Sequence, residues 1–349
     1  MFGSNKKPPR YQYRPIQVSE IRILEIRPGK YKDPLQGRLV TCPATGKGKP
    51  LYEALSWTWG EAKVQPCLLG LDTGSISISK GLDMALRYVR PTKGRRYLWI
   101  DMVCINQQDQ AEVKVQVPRM KRTYEEASRV ICWLGAAEAD SQAAMYVLED
   151  MLRRGCDTRQ VPAWLRLPPA TVKRGLQDIM QRPWWGRFWN IQEAAVCCSL
   201  LLQCGPYYFS WTSSVRTVLP FYRAVKLAHI HPRWKTQGFC NTILEPMLLL
   251  LLKQLDAGPQ RALWHKYRPR PDVLDLVHDL RNRKTSDPSS IIYSALSMTG
   301  KLHGQTPYPK PMEQAFADLL AAMDTRGTAA TLAKCPCDLD AGCSNLQLK

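Results

Sequence analysis

Carboxylates, amides and indoles recur at the ends of apolar stretches in three places along this chain. They are Ala54-Leu55-Ser56-Trp57-Thr58-Trp59-Gly60, Leu98-Trp99-Ile100-Asp101 running into Cys104-Ile105-Asn106-Gln107, and Arg187-Phe188-Trp189-Asn190-Ile191-Gln192-Glu193. Rigid elements that end in polar side chains are where α/β domains build sites. A carboxylate placed there can stabilise developing positive charge or orient ligand hydroxyls. Ser56 and Trp59 close the first stretch within reach of a nucleotide, although Trp59 also fits a core position. Asp101 interrupts an apolar run; it either bonds backbone amides structurally or faces a cleft, because an unpartnered buried carboxylate is costly. Asn106 and Gln107 follow that run, where parallel sheets place ligand groups, and Asn106 equally suits a turn. Trp189 and Glu193 are one helical turn apart on one face, so the indole can wall the same pocket. The alternative is a Glu193 paired to Arg187 or a neighbouring lysine, with Trp189 simply packed. Glu112 reads as a helix cap.

The elements that must carry these residues follow from patterning. Ile21 to Ile26 alternates apolar and charged residues and predicts a half-exposed strand. Leu39 to Cys42, Tyr52 to Trp59, Tyr97 to Val103, Val130 to Leu134 and Leu200 to Cys204 predict further strands. Ser79 predicts the N-cap of a helix reaching Arg90, with Leu82, Ala85, Leu86 and Val89 on one face. Asp109 and Glu112 form a capping box for a helix whose stripe is Val113, Val117, Met120, Tyr124 and Ala127, with Pro118 imposing a kink or late start. Ser141 opens a helix ending near Gly155, residues 156 to 175 read as a loop, and Leu176 to Arg182 and Trp189 to Val196 read as helices around an aromatic turn. From Trp211 onward the pattern is mainly helical, for example Val273 to Arg283 and Pro311 to Met323. Alternation of strand and helix between 52 and 134 predicts a parallel sheet.

At 349 residues the chain can bury one large core or two. Its net charge of +19 predicts an affinity for anions. The basic residues are scattered, without the basic-aromatic alternation of a single-strand binder, so nucleic acid is the weakest of the partner classes considered. Met1 to Arg10 is polar and basic, with no apolar segment of a secretion signal following. Of the twelve cysteines, Cys104, Cys132, Cys197 and Cys198 sit inside apolar runs, which predicts free thiols in a reduced, cytoplasmic protein. Cys335, Cys337 and Cys343 resemble half a metal site without a matching pair, so no metal is expected. Met247 to Leu252 is too short to span a bilayer. No phosphate-binding glycine loop, nucleophile elbow or His-Glu-x-x-His occurs. All five histidines lie outside the motif region, which excludes a Cys-His nucleophile pair there.

Taken together, the three stretches resemble the fungal heterokaryon incompatibility (HET) domain. Tyr52 to Gly60 matches its Tyr-x-Ala-Leu-Ser-Tyr-x-Trp-Gly motif with Trp57 in place of the usual Tyr, and Trp99 to Gln107 matches Trp-Ile-Asp-x-x-Cys-Ile-Asn-Gln. Tyr124, Ala127, Val130 and Trp133-Leu134-Gly135 match the following block, and Arg187, Trp189, Gln192 and Glu193 match Arg-x-Trp-x-x-Gln-Glu. Arg283 to Pro288 with Ile292 to Leu296 resembles a segment that trails the domain, with Ser289 and Ser290 where an acid is usual.

The resemblance implies nonself recognition between fungal cells leading to programmed cell death, through self-association or protein partners. It also implies an α/β fold with a parallel, TIR-like (flavodoxin-like) N-terminal domain and a mainly helical C-terminal region. In that wider group some members cleave NAD at the nicotinamide-ribose bond with a Glu in a Trp-x-x-x-Glu pattern, the spacing of Trp189 and Glu193. Glu193 is then the expected catalytic residue, with Ser56, Trp59, Asp101, Asn106 and Trp189 expected around a nucleotide; NAD is a substrate and no cofactor is required. The corresponding division is a mobile basic lead-in over 1–20, the HET domain over 21–205 with its motif core at 52–196, a helical region over 206–325 and a disordered Cys-containing tail over 326–349. Two other functions stand beside it: a non-catalytic signalling module, and a basic nucleic-acid-binding protein.

Overall fold

The computed structural model describes residues 9–59, 66–154, 163–235 and 241–257. The expected helices Val273 to Arg283 and Pro311 to Met323, the trailing segment and the Cys-containing tail lie outside the described residues.

One nine-stranded sheet organises the molecule. Its strands are β1 (Glu20–Ile26), β2 (Gln36–Pro43), β3 (Glu53–Ser56), β4 (Cys67–Leu71), β5 (Gly74–Ile78), β6 (Arg96–Trp99), β7 (Arg129–Trp133), β8 (Ser199–Cys204) and β9 (Tyr207–Thr212). They are ordered β5-β4-β2-β1-β6-β3-β7-β8-β9. The central block β6-β3-β7-β8 is parallel, as the alternation of strand and helix between 52 and 134 predicts. The expectation of an all-parallel sheet is corrected: β1 runs antiparallel to both β2 and β6, and β4-β5 and β8-β9 are antiparallel hairpins. Those two hairpins carry the strands that periodicity missed. The turn of the second needs Gly205, whose φ is +54° and whose missing Cβ would lie 2.8 Å from the Ala137 nitrogen.

The helices are α1 (Lys80–Val89), α2 (Asp101–Cys104), α3 (Gln110–Gln116), α4 (Met120–Glu125), α5 (Ser141–Arg154), α6 (Pro169–Gln181), α7 (Pro183–Gly186), α8 (Phe188–Ala195), α9 (Val215–Ile230), α10 (Pro232–Lys235) and α11 (Glu245–Ala257). Helix α1 starts where its cap predicts, with the Ser79 hydroxyl accepting from the Leu82 amide, and buries Leu82, Ala85, Leu86 and Val89. Pro118 breaks the next stripe into α3 and α4 through a tight turn at Val117–Arg119. Helix α6 begins at Pro169, inside the stretch expected to be a loop, because a proline is tolerated in a helix's first turn.

Strand β1 is buried along nearly its whole length, not half-exposed as its alternation predicts. Its charged residues find distant partners. Arg22 and Glu112 form a buried pair at 2.5 Å, with side chains 2% and 7% exposed, and Glu25 pairs with Arg38 at 2.8 Å. Glu112 is thereby corrected from a simple cap: it accepts from Arg22 and from the Asn106 amide, while Asp109 caps α3 on its own. Breaking a buried pair costs about 3–5 kcal/mol, so this contact fixes the approach to α3.

Cys104, Cys132 and Cys197 are buried free thiols as the apolar runs suggest, whereas Cys198 is exposed. Among the described residues no helix is long and apolar enough to cross a membrane.

Candidate functional site

The parallel strands β6 and β3 deliver the candidate residues at their C-terminal ends. Strand β3 ends at Ser56, which is fully buried. Strand β6 stops at Trp99, four residues earlier than the expected run to Val103, and Asp101 opens the single turn of α2 instead of interrupting a strand. That start places the Met102 amide 2.7 Å from Asp101 Oδ1. Two indoles also converge on this carboxylate: Trp57 Nε1 donates to Oδ1 at 3.3 Å and Trp59 Nε1 to Oδ2 at 2.9 Å. The two rings stack at 6.2 Å and 15°. Burial pushes the Asp101 carboxyl up, against the Met102 amide, both indoles and the Arg187 guanidinium, which favour its charged form.

Helix α8 supplies Glu193, and its start explains the orientation. The short α7 turns the chain through Trp184 and Trp185, and Asn190 Nδ2 donates back to the Trp184 carbonyl at 3.0 Å. Trp184 Nε1 in turn donates to Ser56 Oγ at 3.0 Å, tying the α7-α8 corner to the end of β3. Glu193 is 6% exposed, and its Oε2 has no hydrogen-bond partner among the described residues. Burial first, then the neighbouring Asp101 charge, raise its pKa to about 8; the Ser56 and Tyr124 hydroxyls and Arg187 partly offset them. At neutral pH the acid is therefore mostly protonated.

The structure thus unites Glu193, Ser56 and Asp101 in one polar nucleus, with Trp59 on its outer side and half-buried Trp189 one turn before the acid. Asn106 is placed elsewhere: its amide donates to Glu112 at 2.8 Å and its side-chain oxygen accepts from Gln108 at 3.3 Å, a turn beside the Arg22 pair. Gln107 reaches the nucleus only through the Asp101 carbonyl, at 2.9 Å.

Sequence reasoning passed over three participants, Tyr124, Trp57 and Trp184. Tyr124 was read as an apolar stripe position, yet it packs edge-on to Trp99 with ring centroids 5.2 Å apart, and its hydroxyl lies beside Glu193. Trp57, given no polar role in the first stretch, and Trp184, part of the aromatic turn, both donate hydrogen bonds to the site. Arg187 is the cation among the strongest influences on both acids, and its Nη1 donates to the Trp57 carbonyl at 3.1 Å. An indole or phenol inside an apolar stripe carries a polar tip that must be satisfied, which was the available signal.

This sheet, with a polar nucleus beyond the C-terminal ends of its parallel strands, defines an α/β domain. Residues 52–193, bounded by Tyr52 and Glu193, match the family model "Heterokaryon incompatibility protein (HET)". The chain is also 27% identical over 240 residues to heterokaryon incompatibility protein 6, OR allele, of Neurospora crassa, an alignment covering 56% of this chain and 35% of that protein. It spans about a third of the length of that curated relative. No solved structure matches the chain.

Proposed function

We propose that this chain acts in fungal incompatibility, and that the nucleus around Glu193 hydrolyses NAD at its nicotinamide-ribose bond. The observation that carries the reading is a charge imbalance: buried Glu193 lies beside half-buried Asp101, and Arg187 is the guanidinium that acts on both among the described residues. An acid held protonated for want of positive charge becomes a carboxylate when a cation arrives next to it. The nicotinamide ring of NAD is such a cation, and exposed Trp59, stacked on Trp57, offers it an aromatic face.

With the pyridinium bound, Glu193 loses its proton and stabilises the oxocarbenium character that develops on the ribose. The C1′–N bond breaks with both electrons passing to the ring nitrogen, which neutralises the ring. Water adds to C1′ and gives its proton to Glu193, so one NAD and one water yield ADP-ribose, nicotinamide and one proton. Asp101, held by two indoles and a backbone amide, orients ribose hydroxyls.

The test is nicotinamide release from NAD by the purified protein beside Glu193→Gln. Release by the parent that falls at least about a hundredfold in the variant is expected. Equal background from both proteins overturns the enzymatic reading. That outcome would favour the second reading, a non-catalytic signalling module, which has its own support: Ser56 is fully buried and accepts from Trp184, as a structural network requires.

A further inference from the structure

The opposite end of the same parallel strands forms a second site. The first residues of four neighbouring strands lie along one rim: Arg96 of β6, Glu53 of β3, Arg129 of β7 and Ser199 of β8. With Arg95 and Ser128 they line a pocket of about 440 Å³, a size typical of small-molecule sites.

Three arginines line this pocket, and two of them pair with its one carboxylate. Glu53 Oε2 and Oε1 accept from Arg96, the second from Nη2 at 3.0 Å, and Oε1 also accepts from Arg129 Nε at 2.8 Å. The Arg96 fork is fully engaged, because its remaining nitrogen donates to the Val89 carbonyl at 2.5 Å. Arg129 uses Nε and Nη2 on Glu53 and leaves Nη1 without a partner among the described residues. Arg95 is 65% exposed and holds only a 3.4 Å contact to Glu25, which is already paired to Arg38 at 2.8 Å. Two guanidinium groups therefore point donors at a pocket whose acids are already committed. The Ser128 hydroxyl, which donates to the Tyr52 carbonyl, still offers lone pairs and a fixed position there, and exposed Leu51 gives the mouth an apolar lip.

We infer that this rim binds a small molecule through a phosphate group, with Arg95 and Arg129 as its ligands and Glu53 as the buttress that aims Arg129. Guanidinium forks match phosphate oxygens in geometry as well as charge, and a dianion neutralises the surplus the pocket carries. The apolar lip suits the organic part of a phosphate ester better than free phosphate.

The experiment is calorimetric titration of the full chain with inorganic phosphate and, separately, adenosine 5′-monophosphate, repeated with Arg95→Gln, Arg129→Gln and Glu193→Gln. Saturable binding that weakens about tenfold in either arginine variant and persists in Glu193→Gln is expected. Tighter binding of the monophosphate than of phosphate assigns an ester as the occupant; equal binding assigns free phosphate. Absence of saturable binding by both probes overturns the proposal. So does binding that survives both arginine changes, and binding lost only in Glu193→Gln would belong to the other end of the strands. Because Arg95 is exposed, its substitution leaves the fold intact, which a thermal melt checks.

Discussion

Glu53 and Glu193 occupy opposite ends of the parallel block, and they meet opposite fates. Glu193 is buried and Glu53 is partly covered, and desolvation pushes both carboxyls up. At Glu53 the Arg96 and Arg129 guanidiniums outweigh that cost and hold the acid below the ordinary carboxylate range. At Glu193 the second strongest influence is another acid, Asp101, and the pKa climbs to about 8. Desolvation alone thus fixes neither group's charge; the sign of the nearest neighbour does. One end favours a carboxylate, the other a carboxylic acid.

The largest expected effect comes from that difference in pH dependence. Glu193 has a higher pKa folded than unfolded, so the folded protein holds its proton while the unfolded chain releases it between about pH 4.5 and 8. Stability contributed by this group is therefore full below that window and declines as pH rises through it, by on the order of a few kcal/mol. Thermal melts from pH 5 to 8.5 should show this fall in the parent and a flatter profile in Glu193→Gln; parallel profiles would show the acid to be ionised at rest. Glu53 carries the opposite sign, its contribution being present above the unfolded carboxylate value and lost as pH falls through the lower folded one. Glu53→Ala strands two partly exposed arginines and should destabilise by about 1–3 kcal/mol at neutral pH, read by denaturant midpoint, with a smaller loss at pH 3.

Smaller changes sharpen the contrast. Trp59→Phe removes the 2.9 Å donor to Asp101 while keeping an aromatic ring. It should cost about 1 kcal/mol and raise the Asp101 titration midpoint further, as followed by carboxyl NMR; an unmoved midpoint would show that this indole does not stabilise the charge. Arg95→Gln should shift stability by less than about 0.5 kcal/mol, since exposed pairs contribute little. A larger loss would mean the side chain is a structural member of its rim.

How much of this was legible beforehand depended on distance along the chain. Helix α1 is local: a serine cap and apolar residues at helical spacing specify it, and they lie within eleven residues of one another. The parallel block and the grouping of Ser56, Asp101 and Glu193 also followed from strand ends and motif order. Strand β1 misled because its alternation is real, yet Arg22 and Glu25 are neutralised by residues on other elements. The role of Glu112 failed for the same reason, since its partner lies ninety positions earlier. Asn106 occupies a sequence position suited to a ligand group, and only coordinates tell that its turn faces the Arg22 pair. The Glu53 cluster could not be read at all, because it exists only when β6, β3 and β7 are in register.

The brevity and placement of β3 carry a consequence for how the chain reaches its native state. Four residues long, this strand pairs on one side with β6 and on the other with β7, where Leu55 meets Ile131. The middle of the sheet therefore closes only after some seventy further residues have been made, and contacts of such separation form slowly. Until then Ala54 and Leu55, fully covered in the finished molecule, leave their backbone edges open to any passing chain. A nascent polypeptide halted before Arg129 would hold β6 against one side of β3 and leave the other side without its strand.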